Sequence, residues 1–180
     1  NLFAASSFSQ TFVSGGIFSN TVWTLANSPY IVTDTVVVFP NVTLTIEPGV
    51  IVKFDANNVL EIRQGILVAD GTVSNSITFT SNSLTPSAGI WKGILLTYAI
   101  AGTKFNYCNI SYAVNGIDNQ SSSSFTLKNS NFTHNQTGVY YIGQIPIDSC
   151  TFRYNSTGIE QSSGSTVNFC TISNNMTGVD

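Results

Sequence analysis

The chain has 180 residues, of which 8% are charged, against about 25% in an ordinary soluble domain. Six Lys and Arg stand against nine Asp and Glu, a net charge of −3, so the basic footprint of nucleic-acid binding is missing. No apolar run approaches the roughly 20 residues of a membrane-spanning helix, and no phosphate-cradling glycine motif implies a cofactor.

Polarity is carried instead by Asn, Ser and Thr, which number 19, 23 and 21. Val and Ile together count 33 against 18 for Leu and Ala, which favours strands over helices. With 42% apolar residues the chain can bury a core. The expectation is an all-β, secreted protein of the cell exterior. The start at Asn1 fits a mature chain whose secretion signal has been removed.

Residues 1–33 contain no charge, and Phe3, Phe8, Phe12 and Phe18 punctuate them. Residues 1–30 read as a cap over a first coil, or as a strand exchanged with a neighbouring subunit. From residue 31 the pattern changes to short apolar-x-apolar pairs, the mark of strands with one buried face. Leu44/Ile46, Leu60/Ile62, Ile77/Phe79 and Ile94/Leu96 recur at a nearly constant interval and predict looser coils over 31–102. Residues 82–93, with Pro86 and Gly89, read as a loop between them.

Over 103–180 the repeat becomes regular. Cys108, Ser130, Cys150 and Cys170 begin four copies of one pattern at almost equal intervals. Each copy runs small-x-apolar-x-x-Asn/Ala-x-x-Gly-β-branched. The apolar positions are Ile110, Phe132, Phe152 and Ile172, preceded by Phe105, Leu127, Ile147 and Val167. One such unit cannot bury its apolar face alone; stacked copies can.

These repeats resemble coils of the right-handed parallel β-helix, the pectate-lyase-like superfold. The stretch from Val42 to Phe54, with Ile77-Thr-Phe-Thr80 and Ile90-Trp-Lys-Gly-Ile94, is similar to the opening coils of many secreted β-helix proteins. The resemblance covers roughly residues 30–180 and implies fold more than activity, because lyases, hydrolases, adhesins and surface proteins share it.

Stacking assigns positions. Cys108, Ser130, Cys150 and Cys170 form an inward column of small side chains. Three cysteines leave one without an intrachain partner; buried thiols are expected, with a Cys150–Cys170 bridge within reach of adjacent coils. Asn135, Asn155 and Asn175 resemble the internal asparagine ladder of the β-helix family, although each also heads a glycosylation sequon. Asn41, Asn109, Asn119 and Asn131 are the N-glycosylation candidates, expected at turns or pointing outward. Gly116, Gly138, Gly158 and Gly178 recur where the backbone has a positive φ or approaches another segment closely.

The resembling enzymes use clustered carboxylates, often with Ca²⁺, or a carboxylate pair. A register that lays Leu44 over Leu60 would stack Glu47 over Arg63 as a surface ion pair and bring Asp55 near Asp70, a candidate Ca²⁺ pair. No catalytic constellation, metal centre or cofactor site emerges. The exposed aromatics considered for sugar contact are Trp23, Trp91, Tyr98, Tyr107, Tyr112, Tyr140, Tyr141 and Tyr154; Tyr112 and Tyr154 share a repeat position, with His134 between them, and are the candidate glycan-contact pair. The function expected is a non-enzymatic, glycosylated structural or adhesive solenoid at the cell surface. Its expected partners are copies of itself stacked head to tail into a filament, or other surface components. The alternative is a polysaccharide-binding or polysaccharide-cleaving β-helix.

Overall fold

The computed structural model describes residues 10–121, 123, 125–141, 143, 145–161 and 166–180. The chain winds into a parallel β-solenoid with three sides per coil. The first coil comprises β1 (Thr11–Ile17) and β2 (Thr21–Trp23); a short 3₁₀ turn at Leu25–Asn27 then leads to β3 (Tyr30–Val38). Next come β4 (Thr43–Ile46), β5 (Ile51–Phe54), β6 (Val59–Arg63), β7 (Ile66–Asp70), β8 (Ile77–Ser81) and β9 (Trp91–Thr97). The regular coils follow as β10 (Lys104–Asn106), β11 (Cys108–Ser111), β12 (Ala113–Asn119), β13 (Thr126–Lys128), β14 (Asn131–Thr133) and β15 (Thr137–Tyr141). Last are β16 (Ile147–Asp148), β17 (Thr151–Arg153), β18 (Thr157–Gln161), β19 (Val167–Asn168), β20 (Thr171–Ser173) and β21 (Thr177–Val179).

One side is a 7-stranded parallel sheet, β2-β4-β7-β10-β13-β16-β19, which counts the turns of the solenoid. The other two sides join through β3. Its first half pairs with β5 and its second half with β6, so they count as one 14-stranded sheet. Sheets buried on one face and built from β-branched pairs stack in this way because each coil covers the apolar edge of the last. Phe12 and Val13 of β1 pair with Ile31 and Val32, and Gly15–Ile17 pair with Val36–Val38. Residues 11–17 of the N-terminal segment therefore lie in parallel register on β3 of their own chain; residues 1–9 fall outside the described residues.

The core is a set of axial columns. On the second side Tyr30, Val52, Phe79, Ile110, Phe132, Phe152 and Ile172 stack in register. On the third side Val36, Leu60, Ile94, Ile117, Val139 and Ile159 do the same, each nearly inaccessible to solvent. Phe132 and Phe152 stack face to face with centroids 4.9 Å apart, close to the strand spacing. Trp91 closes on Phe54 at 3.9 Å and donates its indole N–H to the Ser111 carbonyl at 2.8 Å.

The front half departs from the expected register. Leu44 and Ile46 of β4 stack on Leu67 and Ala69 of β7, not on Leu60 and Ile62. Leu60 and Ile62 belong to another side and meet Ile94 and Leu96, with the 82–90 loop intervening. Ile77 and Phe79 lie on the remaining side, between β5 and β11. All three sides write the same apolar-x-apolar signature, so equal spacing did not mean equal position. The predicted loop also ends earlier than expected: Trp91, Lys92 and Gly93 belong to β9.

Candidate functional site

Two corners of the solenoid repeat one device. Between the first and second sides, Tyr107, Asn129, Ser149 and Phe169 adopt φ values of 48°, 48°, 56° and 52°. Between the second and third, Tyr112, His134, Tyr154 and Asn174 adopt 66°, 58°, 57° and 58°. Such left-handed conformations are uncommon away from glycine. At each corner the next residue turns inward and hydrogen-bonds between coils.

At the second corner that residue is the asparagine. The Asn135 amide donates to the Ile110 carbonyl at 3.1 Å and to Asn155 Oδ1 at 3.0 Å. Asn155 Oδ1 also accepts the Asn135 backbone N–H at 2.9 Å. Asn155 donates to the Phe132 carbonyl and to Asn175 Oδ1, both at 3.0 Å, and Asn175 to the Phe152 carbonyl at 2.9 Å. Asn135 Oδ1 caps the row by accepting from the Ala113 N–H at 2.8 Å. The amide is the one short side chain that can accept with one atom and donate with the other at each step.

At the first corner the small column does the equivalent work. The Cys108 N–H donates to Ser130 Oγ at 3.1 Å, and the Cys150 N–H to Cys170 Sγ at 3.4 Å. Burial pushes the Cys108 and Cys150 thiols up to about 12, and raises that of Cys170. They are poor nucleophiles at neutral pH.

The glycines 116, 138 and 158 are explained by close approach rather than by φ, whereas a Cβ on Gly178 would meet only an ordinary contact with Ile172 at 3.5 Å. A Cβ on Gly138 would stand 2.4 Å from the Gly158 carbonyl oxygen, and one on Gly116 equally close to that of Gly138.

The outward side chains were harder to place from sequence. Tyr112, His134 and Tyr154 do form a column, with ring centroids 5.5 Å apart at both steps and interplanar angles of 28° and 23°. Tyr154 is 55% exposed. Of the other aromatics considered for sugar contact, Trp23, Trp91 and Tyr141 are corrections: all three are buried in the core. Asn41 and Asn131 are exposed, and Asn109 is half-buried beneath Asn131, whose amide donates to it at 2.9 Å. Asn119 is also corrected. It follows Ile117 by two positions on β12, so it points inward, is fully buried, and exchanges hydrogen bonds with Ser123 at 2.9 and 3.1 Å. An acceptor asparagine must be exposed.

The charged groups also rearrange. Glu47 does not meet Arg63; its carboxylate accepts the Leu25 N–H at 2.8 Å. Arg63 instead grips Glu61 with two hydrogen bonds of 2.8 and 2.7 Å, which hold the Glu61 carboxyl below its ordinary range. Asp55 ends β5 and accepts from Asn82, whereas Asp70 ends β7 and is held by Lys104 and Asn106. Hydrogen bonds from these two lower the Asp70 carboxyl, Lys104 acting most strongly. The pair therefore sits on different sides, with an ammonium beside one member, and does not fit Ca²⁺, which needs roughly 6–8 oxygens converging. Among the described residues no three His, Cys, Asp or Glu groups converge on a metal position.

The sequence pattern of the pectate-lyase like beta helix domain matches residues 15–139. The chain belongs to this family. No curated protein and no solved structure matches it. In this pectate-lyase-like β-helix the carboxylates of Glu47, Asp55, Glu61 and Asp70 are taken up by hydrogen bonds within the chain.

Proposed function

We propose that this chain is a non-enzymatic, secreted β-solenoid with a structural and adhesive role at the cell surface, glycosylated and assembled along its axis. The carrying observation is the use of its acids. Asp34, Glu47, Asp55, Glu61, Asp70, Asp118, Asp148 and Glu160 each accept hydrogen bonds from their own chain. Carboxylates held in this way brace strands and corners of their own chain and are less available to act on a substrate. Exposed sequons at Asn41 and Asn131 support secretion and glycosylation. Axial contact is supported by a cleft at the β1 end, lined by the apolar Phe12, Val13, Ile17, Trp23 and Val36 together with Ser14 and Thr21.

The native protein imaged by electron microscopy is expected as extended assemblies; dispersed monomers would overturn the assembled form. Incubation with acidic polysaccharides is expected to release neither unsaturated products nor new reducing ends. Turnover by the purified chain would overturn the non-enzymatic reading.

A second reading, polysaccharide binding, is favoured by the Tyr112–His134–Tyr154 column. The rings face one another, so a sugar would meet their edges, their hydroxyls and the exposed part of Tyr154. Retention on immobilised polysaccharide that is lost in Tyr154→Ala supports this reading; equal retention of both proteins removes it.

A further inference from the structure

The thiol column has a step that its serine-containing neighbour lacks. Cys108 faces Ser130, but Cys150 faces another cysteine on the adjoining coil. The register is unambiguous, because Thr151 pairs with Thr171 and Phe152 with Ile172 immediately beyond. Adjacent parallel strands lie about 4.8 Å apart, inside the roughly 4.4–6.8 Å Cα separation that disulfides use. Cys170 Sγ already sits 3.4 Å from the Cys150 backbone nitrogen. Both cysteines stand just before their strands, β17 and β20; the Cys150 carbonyl accepts the Thr171 N–H at 2.9 Å, so closure is a matter of side-chain rotation rather than of backbone movement.

We propose that Cys150 and Cys170 are a redox pair that closes into an axial disulfide between consecutive coils in an oxidising environment. Closure rotates Cys150 Sγ away from the Asp148 carbonyl, which it now meets at 3.3 Å, toward the sulfur below. Oxidised glutathione serves as the oxidant. Cys170, the less buried thiol, displaces one glutathione thiolate and becomes a mixed disulfide. Cys150 then loses its proton to solvent and its sulfur attacks Cys170 Sγ, displacing the second glutathione; burial of this thiol makes this the slow step, and it is reached by equilibration. Two cysteine S–H bonds are lost, one S–S bond forms, and one glutathione disulfide becomes two glutathione thiols. Cys108 has no cysteine on either adjoining coil, being paired with Ile77 on one side and set against Ser130 on the other, and it remains a thiol.

Trypsin separates the three cysteines onto three peptides, residues 105–128, 129–153 and 154–180. The full chain is equilibrated in glutathione buffer at an extracellular poise, its free thiols are alkylated, and it is digested without reductant. The expected product is a 129–153/154–180 linked peptide, with 105–128 alkylated. Reductant is expected to lower the thermal midpoint by about 5–10 °C, and Cys150→Ser to abolish both the link and that sensitivity. The proposal is overturned by full alkylation of all three peptides, by a link to 105–128, or by a 154–180 homodimer from chain-to-chain bonding.

Discussion

Replacing Asn155 by alanine removes the middle member of the corner ladder. Two buried donors lose their shared partner, Asn155 Oδ1: the Asn135 backbone N–H at 2.9 Å and one N–H of the Asn135 side-chain amide at 3.0 Å. The Asn135 amide keeps its bond to the Ile110 carbonyl, and Asn175 Oδ1 keeps the Asn155 backbone N–H. The loss is therefore confined to the two orphaned groups. At about 1–3 kcal/mol for each buried unsatisfied group, the cost is roughly 2–6 kcal/mol. For a chain of this length that lowers the melting temperature by roughly 10 °C. Far-UV circular dichroism during heating or urea titration measures it, with Asn131→Ala as the exposed control. A change within about 0.5 kcal/mol of the parent, the size of an ordinary surface substitution, refutes the ladder as a stabilising element. Asn155→Asp sharpens the test. Its carboxylate can accept but not donate, and it faces the Asn175 and Phe132 oxygens. Burial raises its folded pKa above the unfolded value, so stability is recovered as the pH falls and is lost as the pH rises through the folded pKa.

Other substitutions probe the remaining features. Gly138→Ala drives a methyl group into the Gly158 carbonyl oxygen at 2.4 Å and should cost about 1–3 kcal/mol in urea unfolding; a neutral result would contradict the close packing of the coils. The Asp70 carboxyl is lowered by Lys104 and Asn106, so its contribution is present above the unfolded carboxylate value and lost as the pH falls through the folded one. Asp70→Asn should flatten the acid limb of the stability profile, and an unchanged limb would count against the Lys104 contact. Secreted from a glycosylating host, the chain should carry glycan at Asn41 and Asn131 and none at Asn119, Asn135 or Asn155, read by peptide mass mapping. A glycan on Asn155 would be incompatible with its place in the ladder.

The rear half of the molecule was legible because its coils have nearly equal length. Identical spacing there carries Phe132 onto Phe152 and Asn135 onto Asn155, so the sequence register is the spatial register. That spacing lined up the thiol column, and together with the resemblance to the β-helix family it pointed to the asparagine ladder. The front half was not legible in the same way. Its corners and the 82–90 loop differ in length, so Leu44 and Leu60, alike in pattern, occupy different sides. Asn119 was misplaced for a related reason. A turn-like run of polar residues follows it, and only the pairing of β12 with β15 shows that it faces inward opposite Tyr141.

Composition and repeat together determined an all-β solenoid with a charge-poor surface, because β-branched pairs at coil spacing have no other way to bury their apolar faces. Which charges meet was decided only by the tertiary structure. Glu61 finds Arg63 along its own strand, Asp70 finds Lys104 from the next coil, and Asp55 finds neither. Side-chain partners across coils depend on corner geometry, which the local sequence constrains weakly and the stacked neighbour sets. The same dependence turned three of the four recurrent glycines, 116, 138 and 158, into contact points between coils and placed Cys150 and Cys170, one coil apart in the chain, one above the other.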